Sequence, residues 1–365
     1  MDPDVLPAWV AEMDYAAPEP VIAALHDAVT SGQLGYPGYS TGVELALAYA
    51  GFAERHFGQP GLVRVIPVVD VTAGLRVALE VLSEPGPVVV PFPAYTPHHD
   101  IAQLTGRARA DLVLDPEASS AVLDLDRLDH LFRSGARTLL LTQPHNPWGR
   151  VFSREELEGI RDVVCRHGGR VVSDEVHGPL RLPGFTHVSY LAIDGTSDHA
   201  VALVSASKAF NMAGLRCAQI VTTDSATMHR LINVPVARND SWSTLGAVGT
   251  IAAYTECDEW LASLVARLAA QRTLLVGLLA EHLPEARMRP LEGTYLAWID
   301  LRSYGHDDPA EVALTRGRVR VSPGQEFHPG LPGHIRLNIA TSPDRLTEII
   351  RRLATGIAPA RDDPT

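Results

Sequence analysis

The chain has 365 residues, longer than one ordinary domain, and its 46% apolar content is enough for a sizeable core. A formal net charge of −12 leaves no basic face for nucleic acid, and no stretch is read as a membrane span. The acidic start Met1-Asp-Pro-Asp4 is not a signal peptide, and Cys165, Cys217 and Cys257, without Cys-x-x-Cys spacing, suit reduced thiols in a cytoplasm. The 15 histidines are scattered, and His98-His99 lacks partners at ligand spacing, so no metal site is expected.

Residues Pro18 to Ser31 read as an amphipathic helix, with apolar positions at Val21, Ile22, Leu25 and Val29. A turn-rich link from Gly32 to Ser40 carries Tyr36. From about residue 41 to 240, helices alternate with short apolar strands, which predicts an α/β domain built on a mainly parallel sheet flanked by helices. Three strands are read at Pro87–Val90, Arg137–Thr142 and Arg170–Ser173, and a fourth at Ala202–Val204. Ser153-Arg-Glu-Glu156 is a capping-box start for a helix ending near His167-Gly-Gly169. Leu245 to Leu283 reads as long helices without strands between them. Strands at Tyr295–Leu301, Arg318–Ser322 and His334–Thr341, then a helix from Pro343 to Ala354, predict a smaller α+β domain of residues 1–40 plus 241–365.

Chemistry-bearing residues follow the strand ends. After Ala202–Val204 comes Ser205-Ala-Ser-Lys-Ala-Phe-Asn-Met-Ala-Gly-Leu-Arg216. A lysine beside a buried strand end is costly to keep charged; desolvation lowers its pKa and makes the amine nucleophilic. Ser205 and Ser207 can donate to a phosphate, and Arg216 can pair with one bidentately. Lysine and serine alone are common in surface loops. The combined pattern, however, resembles the cofactor-lysine segment of pyridoxal-phosphate (PLP) enzymes of the aspartate-aminotransferase fold. The PLP ring needs a carboxylate beside its nitrogen, and Asp174 is the candidate. Asn146 offers a neutral donor to the ring oxygen, and Tyr95 an aromatic face. A strand over Val68–Thr72, a Thr cap and a helix beginning Ala73-Gly74 offer an N-terminus for the phosphate. In open parallel sheets ligands bind outside the carboxyl ends of the strands, where each of these groups falls.

The chain as a whole resembles fold-type-I PLP enzymes, and more narrowly the MalY/PatB-type cystathionine β-lyases. The narrower likeness rests on Leu6-Pro-Ala-Trp-Val-Ala-Glu-Met-Asp-Tyr15, Gly35-Tyr-Pro-Gly-Tyr39, His145-Asn-Pro-Trp-Gly-Arg-Val151, Ser173-Asp-Glu-Val-His177, Gly293-Thr-Tyr-Leu-Ala-Trp-Ile-Asp300 and Ile335-Arg-Leu-Asn-Ile-Ala-Thr-Ser342. The resemblance implies Lys208 as the cofactor lysine and proton shuttle, with Asp174, Asn146 and Tyr95 around the ring. It implies Ser205 and Arg216 as phosphate ligands, Tyr36 as a phosphate ligand supplied across a homodimer interface, and Arg336 as the binder of the substrate α-carboxylate. His177 stands where many aminotransferases have a tyrosine and is grouped with the cofactor-binding residues. The resemblance implies a further N-terminal arm ahead of the Leu6 segment, so either a misassigned start site or a truncated or divergent member is expected. The implied function is a β-lyase acting on L-cystathionine or another L-cysteine S-conjugate, giving thiol, pyruvate and ammonia. An aminotransferase on an L-amino acid is the alternative. A dehydrogenase is disfavoured, since no Gly-x-Gly-x-x-Gly follows a strand.

Overall fold

The computed structural model of the protein describes residues 4–59, 63–114, 123–239 and 242–358. The chain opens with a short strand, β1 (Leu6–Pro7), and two helices, α1 (Glu19–Thr30) and α2 (Tyr39–Phe57). The apolar stripe expected on α1 is only partly buried. Val21 and Ala28 are enclosed, whereas Ile22 and Val29 stay 48% and 49% exposed.

Strands and helices then alternate: β2 (Arg64–Val68), α3 (Val71–Leu82), β3 (Val88–Phe92), α4 (Thr96–Leu104), β4 (Arg109–Val113), α5 (Leu125–Arg133), β5 (Thr138–Thr142), α6 (Arg154–Arg166), β6 (Arg170–Asp174), β7 (Ala200–Val204) and β8 (Ala218–Thr222). The strands form one sheet in the order β2-β8-β7-β6-β5-β3-β4. From β4 to β7 the neighbours are parallel, and β8 runs antiparallel to both β7 and β2. Every residue of β3, β5, β7 and β8 is buried, as a sheet covered on both faces requires. The strand period of two divides them between two cores. Leu140, Val172, Leu203 and Ile220 pack with Leu75 and Leu79 of α3, while Leu139, Leu141, Val171, Ala202 and Val221 face the other side. The expected capping box starts α6: the Ser153 hydroxyl accepts from Glu156 N, and the Glu156 carboxylate accepts from Ser153 N at 2.7 Å.

Three helices follow: α7 (Ser225–Ile232), α8 (Thr244–Glu256) and α9 (Asp258–His282). Contrary to expectation, α9 is long and apolar enough by length and composition to cross a membrane. Its Leu261, Leu264, Leu268, Leu275, Leu278 and Leu279 are instead buried in the protein's own main core, which accounts for the hydropathy. The remainder contains β9 (Arg287–Met288), β10 (Leu296–Asp300), α10 (Pro309–Thr315), β11 (Val319–Arg320), β12 (Ser322–Pro323), β13 (His334–Asn338) and α11 (Pro343–Ile357). An antiparallel sheet runs β12-β13-β10-β9, and β1 pairs in parallel with β11.

The segment after β1 is strapped across both sheets. Asn338 Nδ2 donates to the carbonyls of Val10 and Glu12 at 2.7 and 2.5 Å. Asn211 accepts from Met13 N at 2.9 Å and donates to the carbonyls of Met13 and Tyr15 at 2.9 and 2.7 Å. Residues from the lysine loop and from β13 thereby hold one strap.

Candidate active site

The carboxyl ends of β5, β6 and β7, the start of α3 and the N-terminal strap enclose one cavity. Tyr95, Asn146, Asp174, His177, Ser205, Ser207, Lys208 and Arg216 all line it, together with Ala11, Asp70, Val71 and Thr72. Eight residues predicted for the site are therefore brought together from four separate strand ends, where an α/β sheet places its ligands. Ala73, Gly74, Arg336 and Tyr36 do not line the cavity.

Asp174 ends β6 and is 4% exposed. One carboxylate oxygen accepts from Val176 N at 3.2 Å, and the other lies 3.4 Å from His98 Nε2. His98 Nδ1 in turn sits 3.3 Å from Thr142 Oγ1. His98 thus belongs to the site, although sequence spacing sets it aside as an unpartnered histidine. The available signal was its place three residues after Tyr95, on the same face of α4. Tyr95 caps α4, and its ring meets His98 edge-on at 5.5 Å. Burial and then the Asp174 charge raise the Tyr95 phenol above its ordinary range.

Lys208 Nζ donates to the Ala11 carbonyl at 2.9 Å, and Tyr295 Oη donates to the same oxygen at 2.9 Å. Burial holds the Lys208 pKa below the usual lysine value; Arg336 pushes the same way, while Glu12 and Asp174 oppose it. The His177 imidazole is driven down to about 3 by burial, with Lys208 and Arg336 adding to the effect, so it is neutral. Arg336, on β13, reaches the cavity through Asn146. Its Nη1 donates to Asn146 Oδ1 at 3.1 Å and its Nη2 to the Trp9 carbonyl at 2.8 Å. With Oδ1 so engaged, the Asn146 Nδ2 remains as the donor for the cavity that the residue lines. Arg336 is 6% exposed, and burial lowers its pKa to about 10. Among the described residues its Nε has no hydrogen-bond partner.

The other end of the cavity differs from expectation. The strand ends at Val68, and Asp70, not Thr72, caps α3. Asp70 Oδ1 accepts from Ala73 N at 2.7 Å, and the Gly74 N–H donates to the Asp70 carbonyl at 2.9 Å. Gly74 has a packing reason to be glycine: a Cβ there would lie 2.5 Å from the Leu203 side chain. Val71 and Thr72, in the first turn of α3, are the residues whose backbone reaches the cavity. The Ser205 hydroxyl donates to the Cys217 carbonyl at 2.7 Å and accepts from Ser207 N at 3.1 Å. Arg216 adopts a left-handed φ of 56° and pairs with the Asp70 carboxylate. Tyr36 is 100% exposed.

The chain matches the family of class I and II aminotransferases over residues 10–353. The chain belongs to that family. Within this aminotransferase family it is 34% identical to a cystathionine β-lyase of Corynebacterium glutamicum, the match covering 96% of this chain and 94% of the relative. It is 31% identical to the cystathionine β-lyase PatB of Bacillus subtilis, with 97% and 93% covered. Cystalysin from Treponema denticola, whose crystal structure contains pyridoxal 5′-phosphate, superposes with a TM-score of 0.90 at 25% identity, covering 97% of this chain and 91% of that one. The family's sheet and helix framework is thus the one described above.

The residues present fit PLP. A buried amine of lowered pKa, a buried carboxylate and an amide donor converge at one end of the cavity. A helix N-terminus and an arginine stand at the other, the combination that holds phosphate. At the phosphate end, Asp70 is the one described acid lining the cavity, and its charge opposes a phosphate.

Proposed function

We propose that the protein is a PLP-dependent carbon–sulfur β-lyase that acts on L-cystathionine or a similar L-cysteine S-conjugate. The observation that carries this reading is the convergence on one cavity of Lys208, Asp174 and Asn146, the last hydrogen-bonded to Arg336 behind it, in a chain 34% identical to a cystathionine β-lyase. When bound, PLP supplies the electron sink that makes the substrate Cα–H acidic. Asp174, backed by His98 at 3.4 Å, would be the carboxylate partner of the ring nitrogen. Asn146 would donate to the ring oxygen and Tyr95 would offer its ring to one face. Arg336 takes the α-carboxylate in its planar fork, with Nε as the donor left over for it. Lys208, whose burial lowers its pKa and so favours the free amine, would accept the Cα proton at Nζ. Thiolate then departs from Cβ, and net addition of water leaves thiol, pyruvate and ammonia.

An aminotransferase, the class that gives the family its name, uses the same residues up to removal of the Cα proton. Mixing purified holoenzyme with L-cystathionine, without a keto acid, separates the two. Many pyruvates and thiols per cofactor support the lyase. One turnover, restored only by adding a keto acid, assigns the protein to transamination.

The reading includes a homodimer with shared sites. Tyr36 is 100% exposed, as are, in part, the apolar residues Leu34, Leu47 and Val236 at 63%, 67% and 75%, and Ile22 and Val29 of α1 at 48% and 49%. Apolar surface of this kind is suited to a partner subunit, from which Tyr36 would reach the phosphate. Three cysteines without disulfides support a reduced cytoplasmic setting, and the net charge of −12 supports a small-molecule partner over nucleic acid.

A further inference from the structure

Asp70 is placed to do what a phosphate does. Its carboxylate accepts from Ala73 N at 2.7 Å at the start of α3, and its other oxygen pairs with Arg216. Both partners are groups that recognise anions: a helix N-terminal N–H and a guanidinium. Asp70 and Arg216 line the same cavity as Lys208, alongside Val71, Thr72, Ser205 and Ser207. The only described acid lining that end of the cavity therefore engages Arg216, the guanidinium that lines it, while capping α3 through Ala73 N.

We propose that Asp70 is an internal competitor for the phosphate end of the cofactor site and sets how tightly the phosphorylated cofactor is held. The inference rests on the PLP reading above. A cofactor phosphate drawn to Arg216 and the α3 N-terminus meets the Asp70 carboxylate already paired there through Arg216 Nη2, and the repulsion between the two anions favours opening of the Asp70–Arg216 pair. Opening is feasible, because the Asp70 and Arg216 side chains are 29% and 56% exposed and a pair so solvated is weakly held. Asp70 keeps the helix capped and the arginine neutralised until phosphate arrives. Once phosphate is bound, the retained carboxylate lowers its affinity. The competition acts on the phosphate alone and leaves the ring end untouched, so it discriminates between PLP and unphosphorylated pyridoxal.

The test uses the full-length protein stripped of cofactor, titrated separately with PLP and with pyridoxal. Binding is read from the visible absorbance band and from the fraction fixed by borohydride, not from turnover. Asp70→Asn removes the charge and keeps a good cap, and Asp70→Ser is a second neutral cap former in case the first folds poorly. Both should tighten PLP by about tenfold, the weight of one partly screened charge near a dianion, with pyridoxal affinity unchanged. Inorganic phosphate should raise the melting temperature of the neutral variants more than that of the wild type. Unchanged or weaker PLP binding in the variants, or equal shifts for PLP and pyridoxal, overturns the proposal while leaving the cofactor reading intact. A wild-type protein that forms no fixable band with PLP removes both.

Discussion

Arg336 and Asn146 stand 190 residues apart in the chain and meet in a hydrogen bond of 3.1 Å, Nη1 to Oδ1. The bond ties the antiparallel sheet to the end of the parallel one and fixes which way the Asn146 amide faces. It couples two tasks, since the residue proposed to grip the substrate carboxylate also orients the donor to the cofactor ring.

Replacing Arg336 by Lys should therefore be a poor substitution. An ammonium can serve neither the fork nor Asn146 Oδ1 together with the Trp9 carbonyl. Loss of one charged hydrogen bond, about 1.5–3 kcal/mol, corresponds to a fall of about 10- to 150-fold in kcat/KM for amino-acid substrates. PLP should be retained. Steady-state kinetics that leave saturation by α-amino acids unchanged would show that the carboxylate docks elsewhere.

Lys208→Ala should lose borohydride-fixable cofactor and turnover together. The amine is held at the cavity by its 2.9 Å bond to the Ala11 carbonyl, and the Ala side chain offers no replacement nucleophile. Mass spectrometry after borohydride reduction reads the outcome directly. A cofactor adduct at the wild-type level in the variant would move the linkage to another residue.

The strap offers a stability test. Asn211, in a left-handed conformation with φ of 54°, makes three hydrogen bonds to the backbone of Met13 and Tyr15. Asn211→Ala should destabilise the protein by about 2–4 kcal/mol, the sum of three ordinary hydrogen bonds plus the strain of a Cβ residue with positive φ. Urea unfolding checks it, and a loss below one hydrogen bond's worth would mean that the strap is held from the Asn338 side alone.

Tyr36 gives a test of the shared site. Its complete exposure leaves the hydroxyl without work inside its own subunit. Tyr36→Phe should weaken PLP retention by about tenfold or more, as loss of a hydrogen bond to a charged phosphate does. Sedimentation of the wild type should give a dimer. A fully active monomer would defeat the idea.

Much of the site was legible in sequence because parallel strands present their ends on one side. Asp174, Ser205 and Asn146 each follow an apolar run closely enough to be placed by that rule alone. The phosphate end was not legible in the same way. Val68–Thr72 contains both Asp70 and Thr72 as possible caps, and only the geometry assigns the cap to Asp70. Gly74, read as a phosphate contact, also has to be small to let α3 approach Leu203, a contact no local pattern reveals. His98 escaped because its partners, Asp174 and Thr142, come from other strands. The outward face of α1 escaped because periodicity locates an apolar stripe without saying what covers it.

The buried histidines make stability depend on pH with a definite sign. His145 and His177 are both held down to about 3 by burial, against an ordinary value of 6.5. Between those values the unfolded chain binds protons at both sites and the folded chain does not. Unfolding free energy therefore rises with pH through this window, and the stability they contribute is intact above about 6.5 and lost as pH falls toward 3. Each site contributes a slope of up to about 1.4 kcal/mol per pH unit. His145 does not line the cavity, so it can be tested without removing a cofactor contact. His145→Asn should lower overall stability at neutral pH through lost packing, yet flatten its acid dependence by up to about 1.4 kcal/mol per pH unit. Urea unfolding of wild type and variant at pH values from 7 down to 5 measures both slopes. Equal slopes would mean that His145 takes up its proton in the folded protein, and that its burial is relieved locally before the fold opens.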